Sequence, residues 1–332
     1  MKKLRRSTLF WPLLALVLLM IFNFASSPGF FTVTENNGHF YGSIIDIFMR
    51  ATPLILASLG MTLVIATGGV DLSVGAVAAV APAMAVFLLA QGFGVWPSIA
   101  GALGTSALIG LWNGILVSRL GLQPIIATLI AMVAGRGIAQ LMVNGQIVSI
   151  NDATYAFMGN GYLLKLPFSI TLAFLTLVGL VLFCRRTSTG LFIEALGSSA
   201  VASRFSGLNT FLTQTMVYVV AAFFSGLAGL LVSSNIHAVD VNNLGLYLEL
   251  DAILAVVIGG TRLTGGRFSL VGSVIGALII QTVSTTINTQ GVAIESMLMV
   301  KAVVVIVICL MQSESLRARF QWKRARPNGV TT

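Results

Sequence analysis

The sequence predicts an all-α, polytopic membrane protein of about ten transmembrane helices with both termini cytoplasmic, and three observations predict it. First, of 332 residues only 9% are charged and 57% are hydrophobic, with a mean hydropathy of +0.97. Soluble domains carry about 25% charged residues, so too little charge is present to wet a folded surface, and a soluble enzyme is excluded. Second, the apolar residues gather into ten runs, most of them close to the roughly 20 residues that cross a hydrocarbon core as a helix. Third, glycine is abundant, at 34 residues, as in membrane helices whose backbones approach closely.

The first run, 9–26, follows MKKLRRSTLF and reads mostly WPLLALVLLMIFNFA. A charged start and an apolar stretch also describe a secretory leader, which an A-x-A-like cleavage site would follow. Ser26, Ser27, Pro28 and Gly29 come next instead, so the segment is expected to stay as the first span. Runs 44–66 and 72–91 are divided by Gly68, Gly69 and Asp71. Runs 96–118 and 123–142 are divided by a turn at Arg119. Run 166–184 stops at Arg185 and Arg186, and 213–235 follows the longest polar connection, 185–212. Runs 247–260 and 269–288 are divided by a glycine-rich turn, and 292–312 precedes a basic tail, 313–332. The whole of 1–332 reads as one transmembrane domain.

Orientation follows from the nineteen Lys and Arg. With both termini inside, fifteen of them lie inside. Lys165 alone falls in an outside loop, while Arg50, Arg136 and Lys301 fall within spans. Cytoplasmic loops carry an excess of Lys and Arg, which decides the orientation. The net charge of +9 would suggest nucleic acid for a soluble chain; here the basic residues flank spans, so the bilayer is the partner and nucleic acid is not. Cys184 and Cys309 read as membrane packing. His39 and His237 are too few and too far apart for a metal site, and no cofactor is expected. The outside loops, 27–43, 143–165 and 236–246, are too short to be domains. Within 185–212 a short helix of about ten residues, bracketed by Gly197 and Gly207, reads as a docking element on the inner face.

An internal echo of the form G-G-x5-G-x-V links Gly68–Val77 with Gly265–Val274. Transporters are often built from repeats with broken helices beside the transport path, although four matched positions in a glycine-rich chain arise by chance about as easily.

Four stretches carry a family resemblance: GMTLVIATGGVDLSVGA (60–76), WNGILVSRLGLQPIIATLIAMVAGRG (112–137), EALGSSAVASRFSGLN (194–209) and LELDAILAVVIGGTRLTGG (248–266). From about residue 44 to 312 the chain resembles the ribose-type, monosaccharide-importing branch of ATP-binding-cassette permeases. Within that branch YGSIIDI (41–47), MVAGRGIAQL (132–141) and LELDAILAVVIGG (248–260) are most similar to galactofuranose-importing members. The resemblance implies a permease subunit of a bacterial inner membrane with no chemistry of its own. It would pair with a second permease as a homo- or heterodimer, and be served by a cytoplasmic ATP-binding subunit and a periplasmic sugar-binding protein. The residues agree independently: a Walker A loop needs G-x-x-x-x-G-K-[ST], and none of the five lysines follows a glycine.

The resemblance further implies that Glu194, Ala195, Gly197, Ala200, Arg204 and Gly207 couple the permease to the ATPase. The small residues would let a cytoplasmic helix seat closely, and Glu194 and Arg204 would pair across the interface; the alternative is an ordinary connecting loop. Asp71 is placed to cap the third span by accepting the amide of Ser73 or Val74, with a gating role as the second reading. Gly68, Gly69, Gly259, Gly260, Gly265 and Gly266 read as tight turns or hinges, with Thr261 and Arg262 facing the cytoplasm. Arg136, flanked by Gly135 and Gly137, is an intramembrane cation that faces protein or a watery path. It would donate to sugar hydroxyls, or hold Asp251, Glu249 or backbone carbonyls. Asn113 and Gln140, like Asn144, Asn235 and Gln281, suit a neutral polyol or act as interhelical glue.

The alternatives are a permease for another sugar such as ribose or xylose, a more distant branched-chain amino-acid permease, and an ion-coupled secondary transporter. The last needs a charged residue in mid-span; Asp71 and Lys301 are the candidates, and neither has an evident pair in the sequence. A membrane enzyme would need a nucleophile, His-cluster or paired-carboxylate constellation that the spans lack.

Overall fold

Hydrocarbon offers no partner to a backbone amide or carbonyl, so apolar runs of this length satisfy themselves as helices. The computed structural model describes residues 9–26, 29–36, 38–291 and 297–312; the basic N-terminal cluster and the tail 313–332 lie outside them. α1 (Phe10–Ser26) leads through the hairpin β1 (Thr34–Asn36) and β2 (His39–Tyr41) into α2 (Ser43–Ala66). α3 (Val74–Ala90), α4 (Val95–Ser118) and α5 (Pro124–Met142) follow. Next come β3 (Val148–Ser149), α6 (Ala153–Asn160), β4 (Tyr162–Leu163), β5 (Leu166–Pro167) and α7 (Phe168–Arg186). Two short helices, α8 (Thr189–Ser198) and α9 (Ala200–Phe205), precede α10 (Thr210–Ile236). The chain finishes with β6 (Ala238–Val239), α11 (Leu248–Ile258), α12 (Leu270–Thr289) and α13 (Met297–Gln312).

Among the described residues, α2, α4, α5, α7, α10 and α12 are long and apolar enough to cross a membrane, and α1 and α3 are shorter apolar helices. The interior is built where small residues let backbones touch. α10 lies against α2 and α4 through Gly60 on Ala221, Gly110 on Ala222 and Gly114 on Thr215. α3 crosses α10 where Gly226 and Gly229 meet Ala81 and Ala78, and α11 meets α12 through Gly259 on Gly272 and Ala255 on Gly276. α2 is consequently buried from Leu54 to Ala66. Outward faces carry large apolar side chains, among them Leu129, Val133 and Leu141 on α5, Phe174 and Leu182 on α7, and Val303 and Ile306 on α13. Exposed apolar faces of this extent mark surfaces that meet lipid or another protein.

The two ends differ. At one end lie the antiparallel pairs β1–β2, β3–β6 and β4–β5, the first and last joined by Phe40 N donating to Lys165 O at 3.0 Å. α6 is fixed there to the end of α10, its Tyr155 hydroxyl 2.6 Å from Ser233 Oγ and its Gly159 amide donating to Ser234 Oγ at 2.7 Å. His39 stacks on Tyr162 with ring centroids 4.0 Å apart, and His237 Nε2 is 2.9 Å from Asn160 Nδ2. At the other end lie the 119–123 turn, α8, α9 and the 259–269 connection, bearing Arg119, Arg185, Arg186, Arg204, Arg262 and Arg267.

The fold departs from expectation in three places. Among the described residues, the loops at the hairpin end hold six short strands and a helix, so the mostly helical molecule is not helical throughout. The segment 185–212 forms two helices instead of one of about ten residues, because Ser199 adopts an extended conformation (φ −164°, ψ 105°) and restarts the chain as a cap with its Oγ accepting from Ala202 N. The run 247–260 is not a complete span. α11 has 11 residues, about 16 Å at 1.5 Å each, half of a hydrocarbon core.

Candidate functional site

At the basic end, α8 turns its Ile193 and Leu196 inward, while Glu194 and Ala195 are half-buried. Its last turn carries Gly197. A Cβ there would overlap the carbonyl oxygen of Ala66, the end of α2, and stand 2.5 Å from the amide of Gly266. That amide itself donates to Ala66 O at 2.9 Å. A Cβ on Gly265 would lie 2.9 Å from both Gly197 O and Gly68 N. Gly68, Gly265 and Gly266 all have φ between 82° and 91°, the left-handed region that only glycine enters without strain. Four of the singled-out glycines thus form one junction where three backbones cross: α8, the end of α2, and the turn before α12. Gly197 therefore serves a close backbone contact within the bundle, where the sequence suggested a close seat for a partner. Gly69 belongs to the neighbouring elbow, with Tyr218 Oη 2.6 Å from where its Cβ would be. Gly259 caps α11, and Gly260 (φ 89°) turns the chain. Thr261 also points inward, accepting from Ser269 N at 3.2 Å, while Arg262 is exposed.

α9 is the outward element. Of its six residues only Ser203 is buried, and Ala200, Val201, Ala202, Arg204 and Phe205 are exposed. Gly207 (φ 81°) ends it, and Asn209 Oδ1 caps α10 by accepting from Leu212 N at 3.0 Å. Glu194 and Arg204 form no ion pair among the described residues.

The second assembly lies deeper. Asp71 Oδ1 accepts from Ser73 N at 2.8 Å and Ser73 Oγ at 2.6 Å, with Ser73 itself in the cap position of α3. Asn113 Nδ2 donates to Ser73 Oγ at 2.9 Å, and Leu72 N donates to Thr128 Oγ1 at 3.0 Å. The elbow between α2 and α3 is thereby tied to α4 and α5. Across from it, the segment 240–247 runs into the helix bundle, burying Val241 and Leu244. Arg136 Nη1 donates to the carbonyls of Val241 at 3.1 Å and Leu244 at 2.7 Å, and Gln140 Nε2, one turn on, donates to Asn242 Oδ1 at 3.0 Å. Gly75 in the first turn of α3 abuts Gly245 and Glu249, so the starts of two helices meet inside the bundle beside the guanidinium. Helix starts of this kind carry a partial positive charge.

Asp251 does not join Arg136. It pairs with Lys301 on α13, Nζ to Oδ2 at 2.9 Å, which supplies the partner that the sequence did not reveal for Lys301. Asn235 Nδ2 donates to Asn160 Oδ1 at 2.9 Å, fastening α10 to α6, and Gln281 Nε2 reaches only Thr285 on its own helix. Tyr218 and Thr128 were not singled out from the sequence, and Glu249 was named there only as a partner for Arg136. A phenol or carboxylate inside an apolar run requires a polar neighbour, and that rule marks Tyr218 and Glu249.

Residues 43–309 match the family model described as branched-chain amino acid transport system / permease component. The chain is 47% identical over 321 residues to the galactofuranose transporter permease protein of Escherichia coli K12, covering 95% of this chain and 94% of that one. It is 41% identical to the fructose import permease protein of Bifidobacterium longum, over 98% and 94% of the two chains. To the ribose import permease protein of E. coli K12 it is 32% identical, over 91% and 92%. The family description names amino acids, whereas these three relatives are named for sugars.

Proposed function

The chain belongs to the family of branched-chain amino acid transport system / permease components, and from that premise we propose that it is the membrane subunit of an ATP-driven monosaccharide importer, with galactofuranose as the solute. The observation that carries the reading is the glycine junction. It makes α8, packed directly against the end of α2, continuous with the deeper elements: α2 leads through the elbow to Asp71, and Gly265–Gly266 lead to α11 and α12.

On this reading the basic end is cytoplasmic, in keeping with the excess of Lys and Arg there. Ten segments then cross the membrane of a bacterial cell and both termini are cytoplasmic, α11 completing its crossing through the segment 240–247. A separate ATP-binding subunit docks on α8 and α9, and a second permease completes the complex. When that subunit closes, the push on α8 falls on backbone and not on flexible side chains, so it reaches α2 and the 259–269 turn undamped. The two inward helix starts then open and close the path between Asp71 and Arg136. The hairpin end receives the sugar from a periplasmic binding protein. Few charges border that path, as suits a neutral solute. The sugar follows from 47% identity over nearly the whole chain, against 41% and 32% for the fructose and ribose relatives.

Purification in mild detergent with associated subunits, followed by reconstitution into vesicles, tests the proposal. ATP-dependent uptake of galactofuranose that needs the binding protein is the expected result. Uptake by the isolated chain under a proton gradient, without any ATPase, would overturn it.

A further inference from the structure

Three buried oxygen atoms around the elbow have no hydrogen-bond partner: Asp71 Oδ2, Asn113 Oδ1 and Tyr218 Oη. Asp71 is 1% exposed, and Asn113 and Tyr218 are 0% exposed. They come from three elements and share one neighbourhood. Ser73 Oγ links Asp71 and Asn113 at 2.6 and 2.9 Å. Tyr218 packs its backbone on Gly110, one turn before Asn113, and points its hydroxyl at the backbone of Gly69, two residues before Asp71. Buried polar atoms are satisfied in folded proteins with few exceptions, so three such atoms around one elbow point to a partner that the protein itself does not supply.

The charge selects that partner. No Lys, Arg or His among the described residues pairs with Asp71. A buried carboxylate with no counter-charge is strongly unfavourable, and the partial charge at the start of α3 offsets only part of the cost. A water molecule would satisfy the three atoms yet leave the charge uncompensated, and a proton on Asp71 would cancel the charge yet leave Tyr218 Oη, which forms no hydrogen bond with the other two, unpartnered. The available atoms are all oxygens: a carboxylate, an amide carbonyl, a phenol and the Ser73 hydroxyl. Hard cations take such ligands, and divalent ones are held where several carboxylates or a phosphate balance their charge. One carboxylate among neutral oxygens balances a single positive charge. We propose that Asp71 Oδ2, Asn113 Oδ1, Tyr218 Oη and Ser73 Oγ bind a monovalent cation of the Na⁺ type that locks the α2–α3 elbow onto α4 and α10.

The site lies a few residues beyond the glycine junction, so the cation would stiffen the stretch that connects α8 to the path. It requires no ion gradient and no coupled ion movement, and it holds whatever the solute is.

The test uses the full chain purified in detergent at neutral pH, with binding of radiolabelled Na⁺ and melting temperature compared in NaCl and in N-methylglucamine chloride of equal ionic strength. Saturable Na⁺ binding and a higher melting temperature in NaCl are expected. Asp71→Asn should abolish both effects. Tyr218→Phe, which removes one oxygen ligand, should raise the Na⁺ half-saturation about tenfold, with the melting temperature in N-methylglucamine unchanged. Asn113→Asp, which supplies a second carboxylate, should shift preference to Ca²⁺. Should Asp71→Asn fail to fold, the other two variants still decide. Stability that follows pH and ignores Na⁺ would mean that a proton balances Asp71, and stability indifferent to both would leave an ordered water. Either result overturns the cation site.

Discussion

At position 197 the absence of a side chain is what allows three backbones to meet. A Cβ would overlap the Ala66 carbonyl oxygen and crowd the Gly266 amide, and both are backbone atoms already bonded to one another. Relief requires moving the end of α8 away from α2. Gly197→Leu is therefore expected to leave the spans inserted and folded while uptake falls to background, because the displaced helix no longer pushes on α2. Uptake measured per unit of inserted protein decides the matter, and normal uptake by the variant would separate α8 from coupling. Arg136 presents the opposite case, a side chain whose reach is used. It holds two carbonyls, Val241 and Leu244, from a single nitrogen. A hydrogen bond from a charged donor contributes about 1.5–3 kcal/mol. Arg136→Ala should lower the melting temperature and impair uptake together, and Arg136→Lys should fall between, since an ammonium can also donate to two carbonyls from one nitrogen but ends a shorter side chain. Wild-type behaviour of the alanine variant would show that segment 240–247 holds its path without the guanidinium.

The half-length helix α11 depends on its neighbours for position, and the Lys301–Asp251 pair is the means by which α13 engages it. The two side chains are 16% and 24% exposed in a region flanked by Ile279, Ile280, Val283 and Val304, so little solvent screens them. Removing one partner of a buried pair costs about 3–5 kcal/mol, whereas replacing both with apolar residues is often neutral. Lys301→Met is thus expected to destabilise the chain by about 3 kcal/mol, at the low end of that range because the pair is not fully enclosed. Lys301→Met with Asp251→Leu should return to within about 1 kcal/mol of the original. Thermal unfolding of the two single variants and the double variant measures this as a cycle, and additive losses would show that the charges stabilise the protein independently. The pairing also shows why part of the fold was hidden in the sequence. Runs 44–66, 96–118 and 123–142 were legible because each is a complete apolar helix whose ends are marked by glycine or arginine. The run 247–260 misled because hydropathy registers apolar residues, not where the chain turns. Val241 and Leu244 are as apolar as any span residue, and what holds them is Arg136, over a hundred positions earlier.

For the whole molecule, the same distinction separates the residues of the candidate site. The glycine pairs at 68–69 and 265–266 were visible as turns because glycine and periodicity are local signals. Their convergence on Gly197 was not, since it is set by the packing of α2, α8 and the turn before α12. Nor could composition tell which residues of 185–212 face inward. The structure divides that segment by packing: α8 contacts the bundle and α9 is exposed. The division yields a prediction that distinguishes docking from transmission. Phe205 is 89% exposed and Val201 67% exposed, an apolar pair on a helix that buries only Ser203. Beyond the apolar faces of the spans, such residues on a basic surface are suited to a protein partner, where exposed aromatic side chains act as anchors. Phe205→Glu touches no buried contact, so stability should change by no more than about 0.5 kcal/mol. The complex with the ATP-binding subunit should nevertheless be lost, and uptake with it. Gly197→Leu, by contrast, should keep the subunit bound through α9 while uptake fails. Co-purification of the ATPase with each variant, alongside uptake and melting temperature, gives the comparison. If Phe205→Glu retained both the ATPase and uptake, α9 would not be the docking face, and the partner would have to engage α8 or the exposed Arg262 turn instead.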